Sequence, residues 1–253
     1  MTDVLVLCYH AVSPTWRAAL SVTPEALERQ LDFLHRQGWQ GVTFRQAVLD
    51  PPAPRTLAVT FDDAFASVIE HAFPILSSFG LPGTVFAPTA FMSIRQPLSW
   101  PGITRWTETP DALELTSMTW NDLGVLRDEG WEVASHTRTH ARLTELDEAT
   151  VREELSGSRE ECAVQLGRPC MTLAYPYGDV DGRVADLARA AGYEAAGALP
   201  RRLDMSDTFR WPRVGVYHGD SRWRFRVKAS RPGRRLRSLP VWPDHQAVSD
   251  ARP

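Results

Sequence analysis

Short apolar runs alternate along the chain with longer stretches in which apolar residues recur at helical spacing. Runs at 3–9, 57–61, 84–87, 131–135, 171–174, 194–199 and 213–217 are rich in valine, leucine and alanine and have the length of buried strands. Amphipathic segments separate them, which is the order expected of repeated βα units around a parallel sheet. The segments between carry helix punctuation. Thr23-Pro24 opens a helix with Leu27, Leu31 and Leu34 on one face, and Gly38 closes it. Thr119 followed by Asp122 reads as a capping box, in a helix that stops at Gly130. Asp147 leads a helix with Val151, Leu155, Cys162 and Leu166 on one side, and Asp179 leads another that ends at Gly192.

Two stretches break the alternation. The run Pro51-Pro52-Ala53-Pro54 is a stiff connection, and residues 88–117 form an insertion bearing Trp100 and Trp106. An insertion of that length in a compact domain is functional or partly structured. No repeat or low-complexity tract appears, so the chain divides into one domain at 1–220 and a basic extension at 221–253.

With 253 residues, 43% hydrophobic and 23% charged, the chain is neither fibrous nor disordered. Cys8, Cys162 and Cys170 suggest neither a disulfide framework nor a thiolate zinc site, and they predict a reducing compartment. The apolar run at 4–8 is too short for a signal-peptide core, so a cytoplasmic location is expected. The net charge of −3 hides an asymmetry: residues 201–238 hold twelve Lys or Arg against three Asp or Glu. Such a segment suits an anionic partner, either an acidic membrane surface touched peripherally or the diphosphate of a nucleotide- or lipid-linked sugar. Nucleic acid is not expected, because no recognised binding module accompanies the charge. Residues 231–253 read as a solvated tail.

The chemistry lies at strand ends. The strand at 57–61 runs into Asp62-Asp63, and the strand at 131–135 runs into His136-Thr137-Arg138-Thr139-His140. In a parallel α/β fold the carboxyl ends of the strands open on one face, so the two motifs converge. Read alone, the aspartates are a cap or turn and the histidines a surface pair. Together they suit a three-ligand metal site, two histidines at i and i+4 of a helical turn and one carboxylate, while the other carboxylate accepts a proton. Leu173-Ala174-Tyr175-Pro176-Tyr177-Gly178-Asp179 marks a third irregular strand-to-helix passage, suited to offering a backbone N–H to an oxyanion.

These motifs resemble those of the polysaccharide deacetylase family, the NodB-like domains of carbohydrate esterase family four. Thr60-Phe61-Asp62-Asp63, His136 to His140, and Tyr175-Pro176-Tyr177-Gly178 match its first three motifs in order, and the similarity covers residues 3 to 218. The resemblance implies a distorted (β/α) barrel of about seven strands that removes acetyl groups from sugars with a divalent metal, commonly zinc. It implies Asp63, His136 and His140 as metal ligands, Asp62 as general base, the Tyr177 N–H at the oxyanion, and Tyr175 and Pro176 on the substrate side. Many members carry an arginine beside the third motif that pairs with the base. This chain has Ala174 there, so either another arginine substitutes, with Arg213 the best candidate, or the base is held differently. Leu7-Cys8-Tyr9-His10 resembles the opening of permuted members, which makes His10 the general acid in preference to the late His218. His35, His71 and His245 are expected in solvent. Trp100 and Trp106 either stack on sugar rings or anchor the insertion. The reaction expected is N-deacetylation of an amino sugar in a glycan or glycan precursor. The alternatives are an O-deacetylase or deformylase of a nucleotide- or lipid-linked sugar, and a silent glycan-binding protein.

Overall fold

A computed structural model describes residues 2–200, 202–203 and 207–239. The strands are β1 Asp3–Tyr9, β2 Ala11–Val12, β3 Ser21–Val22, β4 Gln40–Val42, β5 Arg55–Phe61, β6 Gly83–Ala87, β7 Glu132–Ser135, β8 Thr172–Ala174, β9 Ala195–Ala198, β10 Trp211–Pro212 and β11 Val214–Gly215. The helices are α1 Pro24–Arg36, α2 Phe44–Leu49, α3 Phe73–Ser78, α4 Trp120–Asp128, α5 Glu148–Leu166, α6 Gly182–Ala190, α7 Arg222–Ala229 and α8 Arg231–Ser238. One parallel sheet runs in the order β10-β9-β8-β7-β6-β5-β1-β11, with β4 beside the first half of β5. It is a nearly closed NodB-like barrel, as expected.

The barrel closes through one residue. The last strand, expected at 213–217, is short and has a second piece before it, with Arg213 between them: Trp211 and Pro212 pair with β9, whereas Val214 and Gly215 pair with β1. The Arg213 N–H donates to Ala198 O and the Val216 N–H to Cys8 O, so the chain changes partner across the seam. The barrel's two edges thus meet at a fully buried arginine.

Strand parity decides what faces inward. In parallel register Val6 lies beside Ala58 and Cys8 beside Thr60, so these share a face, and two residues further on the same parity reaches His10 and Asp62. Val4, Val6, Ala58, Phe86, Ala134, Ala174, Ala195 and Trp211 form one cluster with Phe44, Ala47 and Val48 of α2. Below it, the half-buried Glu132 carboxylate accepts from Thr84 and Thr172 hydroxyls and from the Arg45 N–H. The opposite strand faces carry Leu5, Leu7, Tyr9, Leu57, Val59 and Phe61 into the larger core beneath α1, α3 and α4.

Local signals explain the helices. Thr23 caps α1, Thr119 and Asp122 form the capping box of α4, and Asp147 caps α5, which ends at left-handed Gly167. The helix read from Asp179 begins instead after Asp181, because Asp179 accepts the Thr144 hydroxyl at 2.6 Å. The insertion folds as 3₁₀ turns at Thr89–Phe91, Thr104–Trp106 and Pro110–Leu115, tied back by bridges Phe65 to Ser117 and Pro97 to Thr116.

Part of the basic segment is built into the fold. Phe225 and Ala229 of α7 join the larger core. Arg234 of α8, read as part of a solvated tail, is buried and donates to Val4 O and the Asp3 carboxylate, because it covers the amino end of β1. Residues 240–253, His245 included, lie outside the described residues. No helix among the described residues is long and apolar enough to cross a membrane.

Packing around the seam is tight. A Cβ on Gly197 would sit 2.8 Å from Arg213 Cδ and Nε. Gly197→Ala should therefore cost about 1–3 kcal/mol in denaturant unfolding. Gly124→Ala, inside α4 with no atom nearer than 3.9 Å, should instead stabilise by roughly 0.5–1 kcal/mol.

Candidate active site

Among the described residues five non-glycine residues have positive φ: Asp63, Ala64, Thr137, His140 and Tyr177, at 54° to 70°. All lie in the loops that leave β5, β7 and β8. Each such conformation costs on the order of 1 kcal/mol, and clustering of that strain marks a functional site. The segment His136 to His140 is a loop, not the helical turn expected from its spacing. Left-handed turns at Thr137 and His140 bring its imidazoles to 4.9 Å between centroids.

Asp63 Oδ1 lies 3.4 Å from His136 Nε2 and 3.2 Å from His140 Nε2, with all three side chains buried. Despite that proximity, Oδ1 has no aligned hydrogen bond. The spacing suits a shared ion, since two atoms each about 2.1 Å from a tetrahedral zinc are about 3.4 Å apart. His136 Nδ1 lies 2.7 Å from Ala174 O. A carbonyl only accepts, so Nδ1 carries the proton, and in the neutral form of the ring Nε2 presents the lone pair. His140 Nδ1 has no hydrogen bond. Its ring is gripped by Trp100, stacked at 4.1 Å, and by the edge of Tyr177 at 4.7 Å. The donor set therefore fits a divalent ion. Burial pushes the Asp63 carboxyl up, but the two imidazoles outweigh it and hold it far below the usual range.

Asp62, 2% exposed, is clamped by Arg213: Nη1 donates to Oδ1 at 2.6 Å and Nη2 to Oδ2 at 2.8 Å. The Cys8 thiol donates to Oδ2 at 3.4 Å. Burial raises the Asp62 carboxyl, while Arg213 and then His136 lower it further, leaving it below its ordinary value. His10 is half-buried at the end of β1, and its Nδ1 is buried without a hydrogen bond. One donor atom from each of His10, Cys8 and Asp62 falls within 4.8 Å of the others. His218 is exposed, tethered through its N–H to Ala19 O.

Tyr177 sits at φ 61°, its ring under the Arg142 guanidinium at 4.0 Å and its hydroxyl donating to Pro101 O. Burial pushes that hydroxyl up to about 12. The Tyr175 side chain does not reach the cavity: it is fully buried in the smaller core and donates to Phe209 O, because strand parity turns residue 175 outward. Pro176 is buried next to it in the chain. Trp100 and Trp106 anchor the insertion, Trp100 on His140 and Trp106 edge-on against Trp16.

Sequence reasoning missed Glu154. From α5 its Oε2 accepts the N–H groups of Arg138 and Thr139, both at 2.9 Å, and its Oε1 accepts the Thr139 hydroxyl at 2.7 Å. Beside it Ser158 bonds Ser135, whose hydroxyl accepts the Thr137 N–H. The signal was a charged residue on the buried stripe that holds Val151, Leu155, Ser158 and Cys162.

A family model described as polysaccharide deacetylase matches residues 50–196. The chain belongs to the polysaccharide deacetylase family. The match contains both aspartates and both histidines but leaves His10 and Arg213 outside. YxkH of Bacillus subtilis is 22% identical over 194 residues, 75% of this chain and 62% of that protein. A Staphylococcus aureus poly-β-1,6-N-acetyl-D-glucosamine N-deacetylase is 24% identical over 171 residues, 63% of this chain and 54% of that one. The chain thus spans under two thirds of the length of these relatives. Deacetylase PplD of Streptococcus pyogenes, solved with acetate, superposes with a TM-score of 0.73 at 18% identity, covering 90% of this chain and 98% of PplD. IcaB of Ammonifex degensii gives 0.67 at 22% identity, over 94% of this chain and 99% of IcaB. At such identities these structures speak for the fold.

Because Glu154 holds the histidine loop, Glu154→Ala should weaken zinc affinity by about 10–100-fold in a chelator competition, with Glu154→Gln closer to the parent. Equal affinities in all three proteins would refute the role.

Proposed function

We propose that the protein is a metal-dependent hydrolase that removes the N-acetyl group from an amino sugar in a glycan. The observation that carries this reading is the buried Asp62–Arg213 pair lying against the Asp63, His136 and His140 cluster, with His136 Nε2 4.0 Å from Asp62 Oδ2. Asp63, His136 and His140 would hold the ion, with zinc favoured by the one-carboxylate, two-imidazole donor set. An ion there supplies a lowered pKa for water and polarisation of the acyl carbonyl.

The rest of the chemistry falls to this chain's own groups. Asp62 takes the proton of the attacking water; Arg213 keeps Asp62 ionised and fixes its plane, so that the carboxylate is a ready acceptor at neutral pH. His10, whose ring nitrogen lies within 4.8 Å of the Asp62 carboxylate, protonates the departing amine, which without a proton is too poor a leaving group. The Tyr177 N–H, held in its left-handed turn, serves the oxyanion. Trp100 and the Tyr177 ring keep His140 in place and exclude water from its outer side.

The similarity to an enzyme named for poly-β-1,6-N-acetyl-D-glucosamine supports a polymer or oligomer of N-acetylglucosamine as substrate. A nucleotide- or lipid-linked acetamido sugar is the other acceptor to assay. For the basic helices, Arg222, Arg231 and Arg235 are the cations to offer an anionic surface, since Arg234 is committed to Asp3.

Asp62→Asn should bind zinc nearly normally yet lose about 10²–10⁴-fold in acetate release from N-acetylglucosamine oligomers, whereas His136→Ala should lose both. Full hydrolysis by metal-stripped enzyme would sink the reading, as would inertness of the loaded enzyme toward every N- and O-acetylated or formylated sugar. The pH profile is a second check. Removing the Arg213 charge disfavours the ionised carboxylate, so in Arg213→Met the Asp62 pKa rises and the acid limb of kcat/KM moves to higher pH. An unmoved acid limb would separate Asp62 from the base role.

A further inference from the structure

Cys8 has no part in the reaction as described, yet it sits between its two proton-transfer groups. Cys8 Sγ, Asp62 Oδ2 and a His10 ring nitrogen form a second group of potential ligands beside the first, every donor within 4.8 Å of the others. Strand parity explains the convergence: Cys8 and His10 follow one another on the inner face of β1, and Asp62 ends the neighbouring strand. The thiol is fully buried and donates to Asp62 at 3.4 Å, while His10 Nδ1 is buried with no partner at all. A soft sulfur, an imidazole and a carboxylate at this spacing are the ligand types of zinc and its heavier congener cadmium.

We propose that Cys8, His10 and Asp62 form a second, inhibitory site for a soft divalent ion. The inference rests on the proposed roles of Asp62 and His10, because an ion held there occupies base and acid together. Binding replaces the thiol proton, which leaves to solvent, with the ion; Sγ, Oδ2 and the imidazole become ligands, and no electrons are transferred. Two features keep this site weaker than the first. Arg213 already pairs with both Asp62 oxygens, and an ion at Asp63, His136 and His140 repels a second one nearby. The enzyme is therefore activated by one equivalent of metal and inhibited by excess.

The test uses the full chain loaded with one equivalent of zinc and then titrated with cadmium, reading thiolate-to-cadmium ultraviolet absorption and acetate release in parallel. Cys162 and Cys170 lie against one another in the smaller core and are silenced by a Cys162→Ala/Cys170→Ala background. In that background the band should still grow in step with loss of hydrolysis. Cys8→Ser retains a hydroxyl to donate to Asp62 but lacks the sulfur. It should abolish the band and raise the cadmium concentration for half inhibition by at least about 10-fold, since loss of even an outer-shell partner costs that much and Cys8 is a direct ligand. Cys8→Ala is the second variant and should behave alike. Absence of the band in the double-alanine background, or equal inhibition with and without Cys8, would overturn the site. A Cys8-dependent band without loss of hydrolysis would uphold the site but overturn its inhibitory role, and with it the assignment of Asp62 and His10 as base and acid.

Discussion

A carboxylate with almost no contact with water persists in ionised form only beside a charge of opposite sign, and for Asp62 that charge is Arg213. The desolvation cost of such an ion is several kcal/mol, so an uncompensated Asp62 would protonate. The guanidinium satisfies both carboxylate oxygens, and its stem lies in the space left open by Gly197. Arg213 also stands at the seam where the chain changes partner from β9 to β1. Barrel closure and ionisation of Asp62 are therefore one structural event: the residue that joins the two edges is also the counter-ion.

The adjacency of two carboxylates with different partners follows from the same strand end. Neighbouring residues on a strand face opposite ways, so Asp62 and Asp63 could not share a cavity if β5 simply continued. The left-handed φ of Asp63 ends the strand there, and its carboxylate reaches the two histidines while Asp62 stays on the inner face. The histidine loop is bent by the same device and needs an external brace, which α5 supplies through Glu154 and Ser158. Strain in three loops is thus held by a rigid surround of barrel, helix and insertion. That surround fixes His140 by stacking in place of the hydrogen bond that fixes His136.

The interior of the barrel is layered. Glu132 with its threonines fills the amino-terminal end, apolar side chains, several of them alanine, fill the middle, and the ionisable groups gather at the carboxyl end. A middle layer rich in alanine and glycine leaves room for the long Arg213 stem, and a dry layer beneath the ion pair strengthens it. The basic helices α7 and α8 are tied by Arg234 to the amino end of β1, away from the cavity.

Much of this was legible in the residues. Alternating apolar runs and capped helices specified βα units, because burial and end-capping are local requirements with short periods. Asp62-Asp63 and His136 to His140 announced themselves because chemistry demands particular side chains just beyond strand ends, and their order resembled a family's. What the sequence could not determine was which residues meet across long separations. Arg213 finding Asp62, Trp100 covering His140, Glu154 bracing a loop on another element, and Cys8 joining His10 and Asp62 all depend on how the sheet closes and which way parity turns each side chain. Tyr175 illustrates the limit: its motif placed it beside the site, and one step of parity buried it in a different core. The sequence by itself determined the elements and the chemical inventory; the tertiary structure decided the partnerships, because closure of the barrel is a non-local constraint that no short pattern encodes.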